Sequence, residues 1–126
     1  MKAVLDASAL LAYLQDEPGS KAVEKVLDTS CISAVNWSEV VQKSISAGVE
    51  TDGMREDFVA VGLKIHEFTA AHADVAGRLW VTTKRFGLSL GDRACLSLGL
   101  ALKVPVLTTD KTWKKPDLPL RITVIR

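Results

Sequence analysis

The chain has 126 residues and a formal net charge of +1, with 48% hydrophobic and 25% charged residues. These values fit one globular domain with a substantial core, and no apolar run approaches the roughly 20 residues of a transmembrane helix. Because Asp6 lies where a signal peptide would keep its apolar region, we expect a single cytosolic domain over residues 1–126 with no membrane association.

Strands and helices are predicted to alternate along the whole chain. Apolar residues at helical spacing indicate the helices, and short apolar runs bounded by turn residues indicate the strands. In chain order we predict a strand at residues 2–5, helices at 7–14 and 21–28, a strand at 30–33, helices from about Asn36 to Gly48 and from Asp52 onward, a strand at 64–68, helices from Thr69 to about Arg85 and from Gly91 to Lys103, and strands at 104–107 and 121–125. This alternation is typical of an α/β fold with a parallel sheet and right-handed crossovers.

Residues 88–110 form the most informative stretch. The predicted helix within it is apolar almost all round, which indicates a buried helix. Residues 104–107 resemble a strand that is buried on both faces. Asp92 begins the helix and Asp110 follows the strand. Taken singly, each acid has a purely structural explanation, as a helix-start residue or a turn residue.

Four carboxylates share one predicted location, namely Asp6, Glu39, Asp92 and Asp110. Each lies just after a predicted strand or in the first turns of a helix, so all four are expected near the carboxyl edge of the parallel sheet. Clustered acids raise one another's pKa unless cations are present. Carboxylate oxygens suit Mg²⁺ or Mn²⁺, which activate water and stabilise displacement at phosphorus.

The charges are distributed unevenly along the chain. From Lys84 onward there are nine Lys or Arg and three Asp or Glu, whereas the earlier residues carry seven and twelve. This asymmetry favours a polyanionic partner, although chance clustering on a solvated surface is the alternative. The cations expected beside the acids are Lys84, Arg85, Arg93 and Lys111.

At this point the residues resemble a known family. The motifs are Val4-Leu5-Asp6-Ala7-Ser8-Ala9-Leu10, then Glu39, then Leu90-Gly91-Asp92-Arg93-Ala94, then Leu107-Thr108-Thr109-Asp110. Together they resemble the PIN domain and, within it, the VapC-type toxin ribonucleases of prokaryotic toxin–antitoxin pairs. The resemblance covers essentially the whole chain, and the motifs occur in the family's order.

The resemblance implies a three-layer α/β/α fold with strand order 3-2-1-4-5 and an endoribonuclease that depends on Mg²⁺ or Mn²⁺. It also implies a homodimer and a cognate antitoxin that blocks the site. By motif, the catalytic and metal-binding acids are Asp6, Glu39, Asp92 and Asp110. The family often carries a hydroxyl residue directly after the first Asp, but here that residue is Ala7 and the hydroxyl belongs to Ser8.

Three other functions are weighed against this one. Residues 87–91 match the G-x-S-x-G elbow of serine hydrolases, but a helix precedes them and both histidines come earlier in the chain. A phospho-acceptor receiver domain needs an Asp at the end of strand three, where this chain has Glu67-Phe68-Thr69. An RNA-processing nuclease outside any toxin pair stays open.

Large side chains and thiols add expectations about the core. Trp37 and Trp80 lie at helical spacing and are expected inside. Trp113 lies in a basic loop, where it either packs on the sheet or stacks on a base. Cys31 and Cys95 are expected as buried thiols.

Overall fold

A fully parallel five-stranded sheet forms the centre of the protein, and the computed structural model describes all 126 residues. The strands are Ala3–Leu5 (β1), Ser30–Ser33 (β2), Lys64–His66 (β3), Val106–Thr108 (β4) and Ile122–Val124 (β5). Their order is β3-β2-β1-β4-β5, so the predicted order is confirmed. The central strand is β1, which pairs with β2 and β4.

Seven α-helices surround the sheet. They are Ala7–Leu14 (α1), Ser20–Glu24 (α2), Ala34–Ser46 (α3), Met54–Ala60 (α4), Ala70–Arg78 (α5), Trp80–Thr83 (α6) and Leu90–Leu102 (α7). Three short 3-10 helices complete the fold, at Leu27–Thr29, Lys84–Phe86 and Lys111–Lys114. None of the helices combines the length and the hydropathy that crossing a bilayer requires.

The alternation of side chains along β1 divides the core into two parts. Ala3 and Leu5 pack into a large cluster with α1, α2, α3 and α4. Val4 points to the other face, where it packs with α7 and with Trp113. Successive side chains of a strand point to opposite faces, so three residues of one strand serve both clusters. The sheet therefore lies between two helical layers, as expected for the α/β/α fold.

The predicted long helix from residue 69 to about 85 is interrupted. It consists of α5, α6 and a 3-10 turn, and the hydroxyls of Thr82 and Thr83 both donate to the carbonyl of Leu79, at 3.2 and 2.7 Å. Such bonds compete with the helical ladder and bend helices. Trp80 is 51% exposed, and the Lys84 ammonium lies 4.5 Å from its ring centroid. The expectation that Trp80 lies in the core is wrong.

The structure agrees with the other expectations about large side chains and thiols. Trp37 packs edge-on against Phe58 with ring centroids 5.8 Å apart. Trp113 is buried, so the packing alternative for its loop is the one observed. Cys31 and Cys95 are buried and free. Burial raises the pKa of Cys31 to about 11, which keeps it a neutral thiol.

We predict that Gly99→Ala destabilises the protein because α7 crosses β4 at that residue. A Cβ on Gly99 would lie 2.5 Å from Cγ2 of the fully buried Val106. Overpacking of this kind costs about 1–3 kcal/mol, measurable by urea unfolding. The matched control is Gly77→Ala in α5, where a Cβ meets nothing within 4 Å. That variant should be neutral or slightly stabilising, and equal effects of the two substitutions would contradict the prediction.

Candidate active site at the carboxyl edge of the sheet

A cleft of about 660 Å³ opens at the carboxyl edge of the sheet. All four carboxylates singled out in the sequence line this cleft, namely Asp6, Glu39, Asp92 and Asp110. They come from four separate segments, which are the end of β1, the middle of α3, the start of α7 and the end of β4. The fold therefore brings together residues that lie up to 104 positions apart in the printed sequence.

Asp6 is the most buried of the four acids, with 5% of its surface exposed. It caps the N-terminus of α1, where its Oδ1 accepts from the backbone N–H of Ala9 at 2.8 Å. The hydroxyl of Ser8 also donates to Oδ1, at 2.7 Å, and the hydroxyl of Thr108 donates to Oδ2, at 2.6 Å. Both oxygens are thus fixed by protein donors.

The hydroxyls of Ser8 and Thr108 also hold the loop after β4. Ser8 Oγ accepts from the N–H of Thr109 at 3.0 Å, and Thr108 Oγ1 accepts from the N–H of Asp110 at 3.1 Å. Ser8 therefore lies in the hydrogen-bond network of Asp6 although it is shifted one position from the family pattern. The motif that contains Thr108 suggests no role for this residue, but the parallel pairing of β1 with β4 places it beside Asp6.

The electrostatic state of Asp6 follows from its burial. Loss of solvent raises its pKa from 3.8 to about 6, against the lowering effect of its hydrogen bonds from Thr108, Ser8 and Ala9. The negative charge of Asp92 raises the pKa further. The ion pairs of the protein are Arg55–Glu56 and Arg126–Glu17, so none of the cleft acids has a cationic partner.

Asp92 and Asp110 each serve a local cap as well as the cleft. Asp92 completes a capping box at the start of α7, because its Oδ2 accepts from the N–H of Ser89 at 2.9 Å and Ser89 Oγ accepts from the N–H of Asp92 at 3.1 Å. Asp110 caps the last 3-10 helix by accepting from the N–H of Thr112 at 2.9 Å. The structural explanation of each acid is therefore correct, and it does not exclude a place in the cleft.

Glu39 is held by a side-chain amide. Its Oε1 accepts from Nδ2 of Asn36 at 2.8 Å, and the same Nδ2 donates to the carbonyl of Gly91 at 2.9 Å. In the sequence Asn36 indicates only the start of a helix, whereas α3 begins two positions before it. Its spacing of three residues from Glu39 is the signal that places both side chains on one helix face.

The donor set of the cleft suits a divalent cation. Carboxylate oxygens are the ligands that Mg²⁺ and Mn²⁺ prefer, and each of Glu39, Asp92 and Asp110 keeps one oxygen that accepts no hydrogen bond from the protein. As placed, no three His, Cys, Asp or Glu side chains are close enough together to hold one ion. Ligation therefore requires some of these carboxylates to turn toward the others, which their mutual repulsion opposes until a cation is present.

Of the four cations expected beside the acids, only Lys111 lines the cleft. Lys43, Lys111 and Arg126 line it beside the acids. The guanidinium of Arg93 instead donates to the carbonyl of Ala76 at 2.8 Å and joins α7 to α5. The residues expected beside the acids that do not line the cleft are Lys84, Arg85 and Arg93.

Comparison with known proteins gives a family and a fold. The profile of the PIN domain family matches residues 3–118. A search of curated protein sequences finds no match.

Several solved structures share the fold over nearly their whole length. A toxin–antitoxin complex from Klebsiella pneumoniae has a chain that is 18% identical, with a TM-score of 0.74 and 98% of each chain covered. VapBC2 from Rickettsia felis, bound to a DNA fragment from their promoter, gives 16% identity, a TM-score of 0.67 and 98% coverage of each chain. VapC20 from Mycobacterium tuberculosis, a sarcin–ricin loop cleaving toxin, gives 10% identity and a TM-score of 0.69, covering 95% of this chain and 99% of that one.

We predict that Asp6 makes the metal-free protein more stable at pH 5 than at pH 8. Since the pKa of Asp6 is raised in the folded state, its contribution is fully present below the unfolded value and is lost as the pH rises through about 6. The expected contribution is about 1 kcal/mol between these two pH values.

Urea unfolding in the presence of a chelator measures this difference. Other groups also titrate in this range, so the informative comparison is with Asp6→Asn, which should reduce the gain in stability between pH 8 and pH 5. An identical pH dependence in the wild type and in this variant would contradict the prediction.

Proposed function

Because the chain belongs to the PIN domain family, we propose that it is an endoribonuclease that hydrolyses RNA phosphodiester bonds with a carboxylate-bound Mg²⁺ or Mn²⁺. The observation that carries this proposal is the convergence of four carboxylates, none paired with a cation, on one cleft. We further propose that residues 1–126 are a single PIN domain, acting in the cytoplasm as the toxin of a toxin–antitoxin pair.

The proposed ligands of the metal are Asp6, Glu39, Asp92 and Asp110. When bound, such an ion supplies an activated water and stabilises charge on the attacked phosphate. The residues of the chain prepare the site before that step. Ser8 and Thr108 fix the Asp6 carboxylate, so it needs little reorganisation to serve as a ligand.

The cations of the cleft suit the substrate. Lys43 and Lys111 lie beside the acids without an ion-pair partner, where they can neutralise phosphates on either side of the bond that is cut, and Arg126 lines the cleft while paired with Glu17. Contacts of this kind position a nucleic acid without reading its sequence. The juxtaposition of acids for the metal and bases for the backbone supports a phosphodiester substrate.

The comparisons favour a toxin over an RNA-processing nuclease outside any toxin pair, and the strand order argues against a receiver domain. The structural neighbour from K. pneumoniae belongs to a toxin–antitoxin complex, and VapC20 is described as a sarcin–ricin loop cleaving toxin. A receiver domain of the doubly wound type has strand order 2-1-3-4-5. Here β3 is an edge strand, and Glu67 follows it instead of an acceptor Asp.

The unpaired carboxylates also suggest how a cognate antitoxin would inhibit the enzyme. We propose that a partner segment lies across the cleft and places an Arg or Lys among the acids in place of a cation. Acidic residues beside it would pair with Lys43 and Lys111 at the rim. Apolar anchors would supply most of the affinity, because rim charges mainly steer association.

We predict that Asp6→Asn and Asp92→Asn each lower metal-dependent RNA cleavage by roughly a hundredfold or more, because each removes a ligand charge. Both variants should remain folded, since an amide oxygen keeps an acceptor for the helix cap. The measurement is cleavage of a panel of structured RNAs with Mn²⁺ or Mg²⁺. Asp74→Asn, an exposed position of α5 outside the cleft, is the matched control. Wild-type turnover in both cleft variants would reject the assignment.

We also predict a homodimer. Several apolar side chains in the first half of the chain are exposed, including Leu14, Val59 and Val61. They could form a self-complementary patch between two copies of the chain. Light scattering of the purified protein without antitoxin should give the mass of two 13.6 kDa chains at micromolar concentration. A single-chain mass at that concentration would contradict this part of the proposal.

A further inference from the structure

Asn36 is an almost fully buried amide that is directed at one carboxylate of the cleft. It is 1% exposed, and its Nδ2 donates to both Glu39 Oε1 and the carbonyl of Gly91. Both partners are acceptors, so the nitrogen must face them, because the reversed amide would set oxygen against oxygen. The Asn36 bond is also the only protein hydrogen bond that the Glu39 side chain accepts.

Gly91 adds a steric condition on the same carboxylate. A Cβ on Gly91 would lie 2.8 Å from Glu39 Oε2 and 2.9 Å from both Oε1 and Cδ. The Glu39 carboxylate thus occupies the space that any side chain at position 91 would need. The Glu39 carboxylate therefore lies against the first turn of α7, where Gly91 has no side chain, and close to the helix that carries Asp92.

The contacts of Asn36 and Gly91 fix the position of the Glu39 carboxylate without neutralising its charge. A Lys or Arg in the place of Asn36 would pair with the acids and compete with a metal ion. An amide instead donates a hydrogen bond and leaves the net charge of the cleft unchanged. The first turn of α7 contributes a positive dipole end, which favours a carboxylate there.

We propose that Asn36 and Gly91 are positioning residues that set the location of the Glu39 carboxylate for metal binding. The inference rests on the proposed function, since it assigns Glu39 to the metal. Asn36 lines the same cleft, and its proposed role is to act through Glu39 and not as a ligand itself. Gly91 acts by leaving room for the carboxylate and by offering its carbonyl to Asn36.

The first test is Mn²⁺ affinity, measured by calorimetry on the full-length protein without RNA. Asn36→Ala and Gly91→Ala should each weaken Mn²⁺ binding about tenfold, as loss of a ligand's supporting contact does elsewhere. In a Glu39→Ala background neither substitution should weaken it further, because residues that act through one group are not additive. Thr83→Val removes a buried hydroxyl that donates to the carbonyl of Leu79 and does not line the cleft; it is the control and should bind Mn²⁺ like the wild type.

The outcomes separate this inference from the function on which it rests. Additive losses in the double variants, or unchanged affinity in both single variants, would overturn the positioning role while leaving the metal site intact. If the wild type binds no Mn²⁺, or if the Asp6→Asn variant binds Mn²⁺ as well as the wild type does, the proposed function fails. The role of Asn36 and Gly91 in metal binding then fails with it.

A second test needs no metal. In a chelator, a double-variant cycle of Asn36→Ala and Glu39→Ala by urea unfolding should show the two residues coupled, by about three- to tenfold in the folding equilibrium constant. Gly91→Ala should be less favourable to folding in the wild type, where the Glu39 carboxylate must shift, than in the Glu39→Ala background, where the space is vacant. Absence of coupling in both cycles would show that the contacts do not hold the carboxylate.

Discussion

The buried carboxylate of Asp6 is the constraint on which the rest of the site depends. Burying an acid without a cationic partner is unfavourable, and its raised pKa expresses that cost. The cost is tolerated because three donors converge on its oxygens, and they come from both ends of the chain. The donor from Thr108 exists only because β1 and β4 pair in parallel, with Leu5 opposite Leu107.

The same hydrogen bonds serve the fold and the cleft. Asp6, Asp92 and Asp110 each accept a backbone N–H at the start of a helical turn, a contact that typically stabilises a helix by about 1 kcal/mol. Caps have to lie at helix starts, and in a parallel α/β sheet the helix starts lie at the carboxyl edge. The structural and functional explanations of these acids are therefore not alternatives, because one geometry satisfies both.

The cleft combines this acidic centre with cations that belong to other segments. Lys43 comes from α3, Lys111 from the 3-10 helix after β4, and Arg126 from the end of the chain. The uneven charge along the sequence favours a polyanionic partner, but most of the cations expected beside the acids do not line the cleft. Arg93 is the clearest case, since its side chain closes the contact between α5 and α7 by bonding the carbonyl of Ala76.

The sequence by itself determined the alternation of strands and helices, the parallel sheet and the four acids of the cleft, because periodicity and strand-end position are local properties. The family motifs added the strand order. Only the tertiary structure decided that Trp80 is exposed, that Thr108 bonds Asp6, and that Asn36 and Gly91 confine Glu39. The contacts of Thr108 with Asp6 and of Gly91 with Glu39 join residues 52 to 102 positions apart. The exposed Trp80 lies where the predicted helix is interrupted at Leu79. Local pattern carries no information about either, since both are fixed only when the layers pack against one another.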